Sequence, residues 1–164
     1  MSREEGAKIY GEIVGFGNVT DCGHIASPDK KMMIRAMELA MGEGGLVAGD
    51  IDYVNAHATG TEQGDIAEAA AISTAVDRAI PVSSLKGHLG HTLGAAGALE
   101  LIVLLEMLER QEIIPTRNLG SIDPRCAVVD LVGEKRVANL ETVLKNNFAL
   151  GGVNTSLAIR RRTL

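Results

Sequence analysis

VSSLKGHLGHTLGAAGA, residues Val82–Ala98, sets a lysine and two histidines in a glycine-rich turn between two apolar segments. The stretch before the turn, Ile80–Ser84, reads as a short strand. The stretch after it, Thr92–Arg110, reads as the longest helix of the chain. A strand that passes through a glycine-rich turn into a helix is the repeating unit of an α/β sheet. In such sheets ligand groups collect at the carboxyl ends of the strands. The turn therefore bears on both the fold class and the place where chemistry is expected.

Working outward, Lys8–Val19 alternates and is rich in Ile, Val, Tyr and Phe, which predicts a strand. Ser27 and Pro28 suit the cap and first turn of a helix that runs to about Met41 and stops at Gly42. Ile51–Ala56 reads as a buried strand. Thr61–Val76 reads as a helix with Ala and Ile on one face and acids on the other. Glu112–Ala127, with Pro115 and Pro124, reads as a loop. Thr142–Phe148 and Asn154–Arg160 read as two strands joined at Leu150, Gly151 and Gly152, and the short connection predicts an antiparallel pair. Strand and helix alternate, so the fold class is α/β with a largely parallel sheet, and the 164 residues fit one domain.

Composition narrows the function. Hydrophobic residues make up 46% of the chain and aromatic residues only 2%, so the core is aliphatic. A net charge of −5, with Arg160, Arg161 and Arg162 gathered at the end as a solvated tail, argues against a nucleic-acid partner. Cys22 and Cys126 form no CxxC and no disulfide framework, which favours a reducing, cytoplasmic setting. Met1–Glu12 lacks the apolar core of a signal peptide. The most apolar run, Ala95–Leu105, is broken by Glu100 and is too short to span a membrane.

Three polar clusters fall at predicted strand ends: His57–Thr61, Lys86–His91 and Asn146–Asn154. Two imidazoles and a lysine brought together disfavour one another's protonation. Neutral imidazole N–H groups suit a developing enolate or oxyanion. The hydroxyls of Thr59 and Thr61 suit an amide-bearing tether, and the glycines allow backbone N–H groups to approach a carbonyl. The set points to acyl or enolate chemistry, and it lacks a nucleophile.

VNAHATGT, VSSLKGHLGHTLGAAGA and NNFALGGVNTSL resemble the three carboxyl-half motifs of the β-ketoacyl-acyl-carrier-protein synthases, roughly VNAHGTST, SSTKxxxGHxxGAAG and NSFGFGGTN. GAKIYGEIVGFG and IIPTRNLGSIDP add to a likeness that runs from about Gly6 to Arg160. The resemblance implies a thiolase-like half, a βαβαβαββ-type arrangement of layered sheet and helices, with residues 1–164 as the carboxyl-terminal ketosynthase domain. It implies decarboxylative Claisen condensation in fatty-acid or polyketide elongation. His57 and His91 would be the active-site histidines and Lys86 the lysine that sets their electrostatics. Thr59 and Thr61 would bind the phosphopantetheine arm, with Leu150, Gly151 and Gly152 contributing to substrate binding. Asp65 and Glu68 would support the site. No cofactor is implied beyond the phosphopantetheine of acyl carrier protein, the expected partner.

The departures from the motifs carry weight. His88 matches no histidine of the family and reads as a loop side chain. A metal site from His88 and His91 lacks further ligands. Cys22 and Cys126 both read as ordinary thiols. The nucleophilic cysteine belongs to the amino-terminal half of the family fold, which is expected to be absent here, so the chain alone is expected to be inactive. Leu150 replaces the aromatic ring that gates the acyl pocket, which keeps open a second reading as a non-catalytic partner of the chain-length-factor type. The apolar helix is expected to pack against the amino-terminal half or a second copy of the chain.

Overall fold

The structure, a computed structural model, describes residues 6–21 and 29–162. The main sheet has six strands: β1 (Gly11–Thr20), β2 (Tyr53–Asn55), β3 (Pro81–Ser83), β5 (Asp130–Leu131), β7 (Thr142–Phe148) and β8 (Val153–Arg161). They lie in the order β1-β8-β7-β2-β3-β5. β2 runs parallel to both β7 and β3, and β3 parallel to β5. β7–β8 and β8–β1 are antiparallel. A separate pair joins β4 (Glu112–Ile113) to β6 (Arg136–Val137). The βαβαβαββ order is therefore present, with three two-residue strands, β4, β5 and β6, inserted before the closing pair. The loop expected over Glu112–Ala127 begins with one of them.

Helices α1 (Lys30–Glu43) and α2 (Glu62–Val76) cover one face of the sheet. Helix α4 (Ala96–Arg110) covers the other. Each face has its own core. Met33, Met37, Ala71, Ile72, Val54 and Leu144 belong to the first. Tyr53, Leu104, Met107, Leu108, Val143 and Ile159 belong to the second. Alternation along β7 sorts the side chains: Val143 faces α4, and Leu144 faces α1 and α2.

α1 rests directly on β1. A Cβ built on Gly15 or Gly17 would run into the backbone carbonyl of Ala40 or Ala36. The cap of α1 is Asp29, whose carboxylate accepts the Lys31 N–H at 2.8 Å, and the helix continues through Gly42 to Glu43. The expected cap Ser27 and first-turn Pro28 lie outside the described residues, as does Cys22.

The stretch from Lys86 to Arg110 differs from its reading. Lys86–Leu89 forms a one-turn helix, α3, where a turn was expected. The long helix begins at Ala96, after a 3-10 turn over Leu93–Ala95 in which Leu93 takes a positive φ of 51°. The helix also finds cover within its own chain. Ala96, Glu100, Leu104 and Leu108, spaced by four, are buried against the sheet together with Met107. Leu99 and Ile102 face outward. No helix among the described residues is long and apolar enough to cross a membrane.

Candidate active site

The loop after β2 is held from below by Glu68. This carboxylate, buried on α2, accepts the backbone N–H groups of His57 and Ala58, each at 2.8 Å, and the Asn146 amide at 3.3 Å. Burial pushes its pKa up, and the three donors oppose the rise. Asp65, one turn earlier on α2, accepts the Gly60 N–H at 3.3 Å, and burial raises its pKa as well. Two acids of one helix thus shape a loop in which Ala58 and Gly60 adopt φ of 20° and 80°. The hydroxyls of Thr59 and Thr61 lie 3.2 Å apart on its exposed side.

His57 and His91 meet edge to face, with ring centroids 5.4 Å apart and planes at 84°. The Phe148 ring, from the end of β7, backs His57 at 6.4 Å. The His57 pKa is pushed down to about 3, chiefly by burial and then by the charges of Lys86, His91 and Lys145. The ring is therefore neutral at physiological pH. Its Nδ1 is buried without a partner among the described residues. His91 Nδ1 accepts the Leu93 N–H at 3.3 Å, which leaves Nε2 as the ring's donor.

Behind the pair lies a charged cluster on the α4 face. Lys86 Nζ donates to Glu100 Oε1 at 2.7 Å, and Lys145 Nζ donates to Glu100 Oε2 at 2.5 Å. All three side chains are buried. The Lys86 charge opposes protonation of His57 through the field. Glu100 and Lys145 escaped the sequence reading. Both left a signal: Glu100 is the acid on the i, i+4 stripe of α4, and Lys145 stands inside a central strand at an α4-facing position. A charge so placed needs a buried partner.

A cleft of about 760 Å³ runs past the site. His91, Lys86, Thr59, Thr61, Asp65 and Arg117 are among the residues lining it. Leu150, Gly151 and Gly152 are not part of this wall. Leu150 is 81% exposed at the tip of the β7–β8 turn, and the Gly152 carbonyl accepts the Asp21 N–H at 2.8 Å. His88 turns away and bonds the Pro115 carbonyl at 2.8 Å. Cys126, read on sequence as an ordinary thiol, lines the cleft. Burial and the carboxylates of Asp123 and Asp65 raise its thiol pKa, the opposite of an activated nucleophile. Among the described residues, no three His, Cys, Asp or Glu side chains are grouped to hold a metal ion.

Comparison with known proteins fits this geometry. Residues 10–120 match the family model for the β-ketoacyl synthase C-terminal domain. The chain is 40% identical to 3-oxoacyl-[acyl-carrier-protein] synthase 1 of Escherichia coli strain K12 over 157 residues, which cover 95% of the chain and 38% of that relative. The crystal structure of a β-ketoacyl synthase from Burkholderia phymatum STM815 superposes over 99% of the chain and 40% of its own length, with a TM-score of 0.95 and 47% identity. The ishigamide ketosynthase/chain length factor superposes over the same shares, with a TM-score of 0.94 and 32% identity. The chain thus spans about two-fifths of the length of the relatives it matches.

Proposed function

The chain belongs to the β-ketoacyl synthase family, and from that premise we propose that residues 1–164 form a carboxyl-terminal ketosynthase domain supplying the His–Lys–His part of a decarboxylative condensation site. The observation that carries the proposal is the edge-to-face His57–His91 pair, with His57 held neutral, beside a cleft that His91, Thr59 and Thr61 line.

The roles follow from the chemistry. The substrate would be a malonyl thioester on the phosphopantetheine arm of acyl carrier protein, its amides bonded by the Thr59 and Thr61 hydroxyls. Loss of carbon dioxide leaves an enolate, and N–H groups of His57 and His91 would stabilise its oxygen. The enolate carbon attacks the acyl thioester, forms the new carbon–carbon bond and expels the thiolate. Lys86, tied to Glu100, would hold the electrostatics, and Asp65 and Glu68 the loop. Leu150, Gly151 and Gly152 would border the acyl group once the neighbouring half is in place. No resident cofactor enters these steps, and the location fitting them is the cytoplasm.

The acyl-accepting cysteine would come from the part of the relatives that this chain does not cover. That part, or a second copy of the chain, would cover the outer stripe of α4 at Leu99 and Ile102, which are 40% and 59% exposed. Leu150 favours a second reading as a chain-length-factor-like partner, and the retained histidine pair weighs against it.

The test is condensation of acyl and malonyl carrier protein, followed by mass spectrometry. The chain alone should yield no elongated product. Adding a polypeptide that corresponds to the remaining three-fifths of the Burkholderia synthase should yield it, and Leu99→Glu with Ile102→Glu should abolish the gain. Elongation by the chain alone, or by the double variant at an unchanged level, would refute the proposal.

A further inference from the structure

Lys145 occupies a place where a lysine is costly. It is 1% exposed in the interior of β7, paired with Asn55 on β2 and Leu157 on β8. A lysine is almost never this buried unless it is paired. Its ammonium is met by three acceptors: Glu100 Oε2 at 2.5 Å, Asn147 Oδ1 at 2.7 Å and the Asn146 carbonyl at 3.0 Å. An ammonium has three N–H donors, and each finds one acceptor here. α4 makes room for this arrangement at Gly97, where a Cβ would lie 3.3 Å from Asn147 Oδ1.

We propose that Lys145 is a positioning residue for the His57–His91 pair. With Lys86 it surrounds the single carboxylate of Glu100 and so leaves the buried cluster one positive charge in excess behind the two imidazoles. The inference rests on the decarboxylating role proposed above. An apolar side chain at position 145 would leave a neutral Lys86–Glu100 pair, which is less costly to bury. The excess charge has two uses. It repels a proton from His57, so the imidazole keeps a neutral ring for hydrogen bonding. It also draws negative charge into the site, as a malonyl carboxylate and then as an enolate. The same ammonium fixes the Asn146 carbonyl and the Asn147 side chain. These immediately precede Phe148, whose ring backs His57.

Among the described residues, the charged or titratable groups around His57 come from four places. Glu68 on α2 accepts its backbone N–H. Lys86 on α3, His91 beyond α3 and Lys145 on β7 all oppose its protonation. Burial pulls the Lys145 pKa down, and the Glu100 carboxylate opposes that pull.

The test is an NMR titration of the imidazole nitrogens in the 164-residue chain. His57 should stay neutral down to strongly acid pH. In Lys145→Met its titration should move upward by about 0.5–1 pH unit, and Lys145→Arg should return it toward the wild-type position. An unmoved His57 in folded Lys145→Met overturns the inference. Should that variant fail to fold, the 15N signal of Lys145 in the wild-type chain decides: an ammonium at pH 7 supports the inference, and a neutral amine overturns it. Malonyl decarboxylation by the chain joined with the complementary part of a relative separates the two readings. A shifted His57 with unchanged turnover overturns the decarboxylating role, whereas an unshifted His57 overturns the charge assignment itself.

Discussion

His57 is held neutral by its surroundings, and this state has a signature in stability. Its pKa is lowered to about 3 in the folded chain, against an ordinary value near 6.5. Between those values the unfolded chain binds a proton that the folded chain refuses. The stabilising contribution is therefore complete above about pH 6.5 and is lost as pH falls toward 3. Glu68 works in the opposite sense. Its raised pKa favours the folded state at acid pH, and that contribution fades as pH rises through the folded value. His57→Gln isolates the first effect. Urea unfolding at pH 7 and pH 5 should show wild type losing more stability on acidification than the variant does. Equal losses would mean that His57 titrates normally. Motif order singled out His57, His91, Thr59 and Thr61 as candidates, and the structure brings the two imidazole rings together. The buried pair behind them was not legible, because Lys145 and Glu100 stand 45 positions apart and meet across a helix–sheet contact.

At the scale of elements, the contact of α1 with β1 sets the first layer of the fold. Gly15 and Gly17 lie beneath the carbonyls of Ala40 and Ala36, with no space for a methyl group. Gly15→Ala or Gly17→Ala should cost about 1–3 kcal/mol or more through overpacking. Gly42, in the last turn of the same helix, would place a Cβ more than 4 Å from any neighbour among the described residues. Gly42→Ala should gain about 0.5–1 kcal/mol, because glycine is a poor helix former. Urea midpoints of the three variants check both signs, and a stabilised Gly15→Ala would contradict the packing described. The periodic elements were readable: α2 begins one residue after the expected Thr61 and ends at Val76 as expected, and β7 and β8 pair antiparallel as expected. β4, β5 and β6 were not, since two residues are too few to show a period of two. The start of α4 was misplaced because Leu93 and Ala95 are helix formers, yet Leu93 takes a positive φ and breaks the run.

At the scale of the molecule, the parallel strands bring their carboxyl ends together, and with them loops that are far apart in sequence. β2 delivers His57, β3 leads into Lys86 and His91, and β7 delivers Phe148 against the His57 ring. That convergence was legible from the alternation of strands and helices. The position of the Leu150–Gly152 turn relative to the cleft was not, because it depends on the register of β7 against β8 and on the contact with Asp21. The central claim is that this convergence forms the decarboxylating half of a condensation site. Its most direct measurement is the rate of carbon dioxide release from malonyl carrier protein by the chain assembled with the complementary part of a relative. His57→Ala and His91→Ala should each lower that rate by about 10²–10³-fold, while His88→Ala, which removes only a bond to the Pro115 carbonyl, should leave it within about twofold. Equal losses at all three histidines, or an undiminished rate without His57 or His91, would contradict the account.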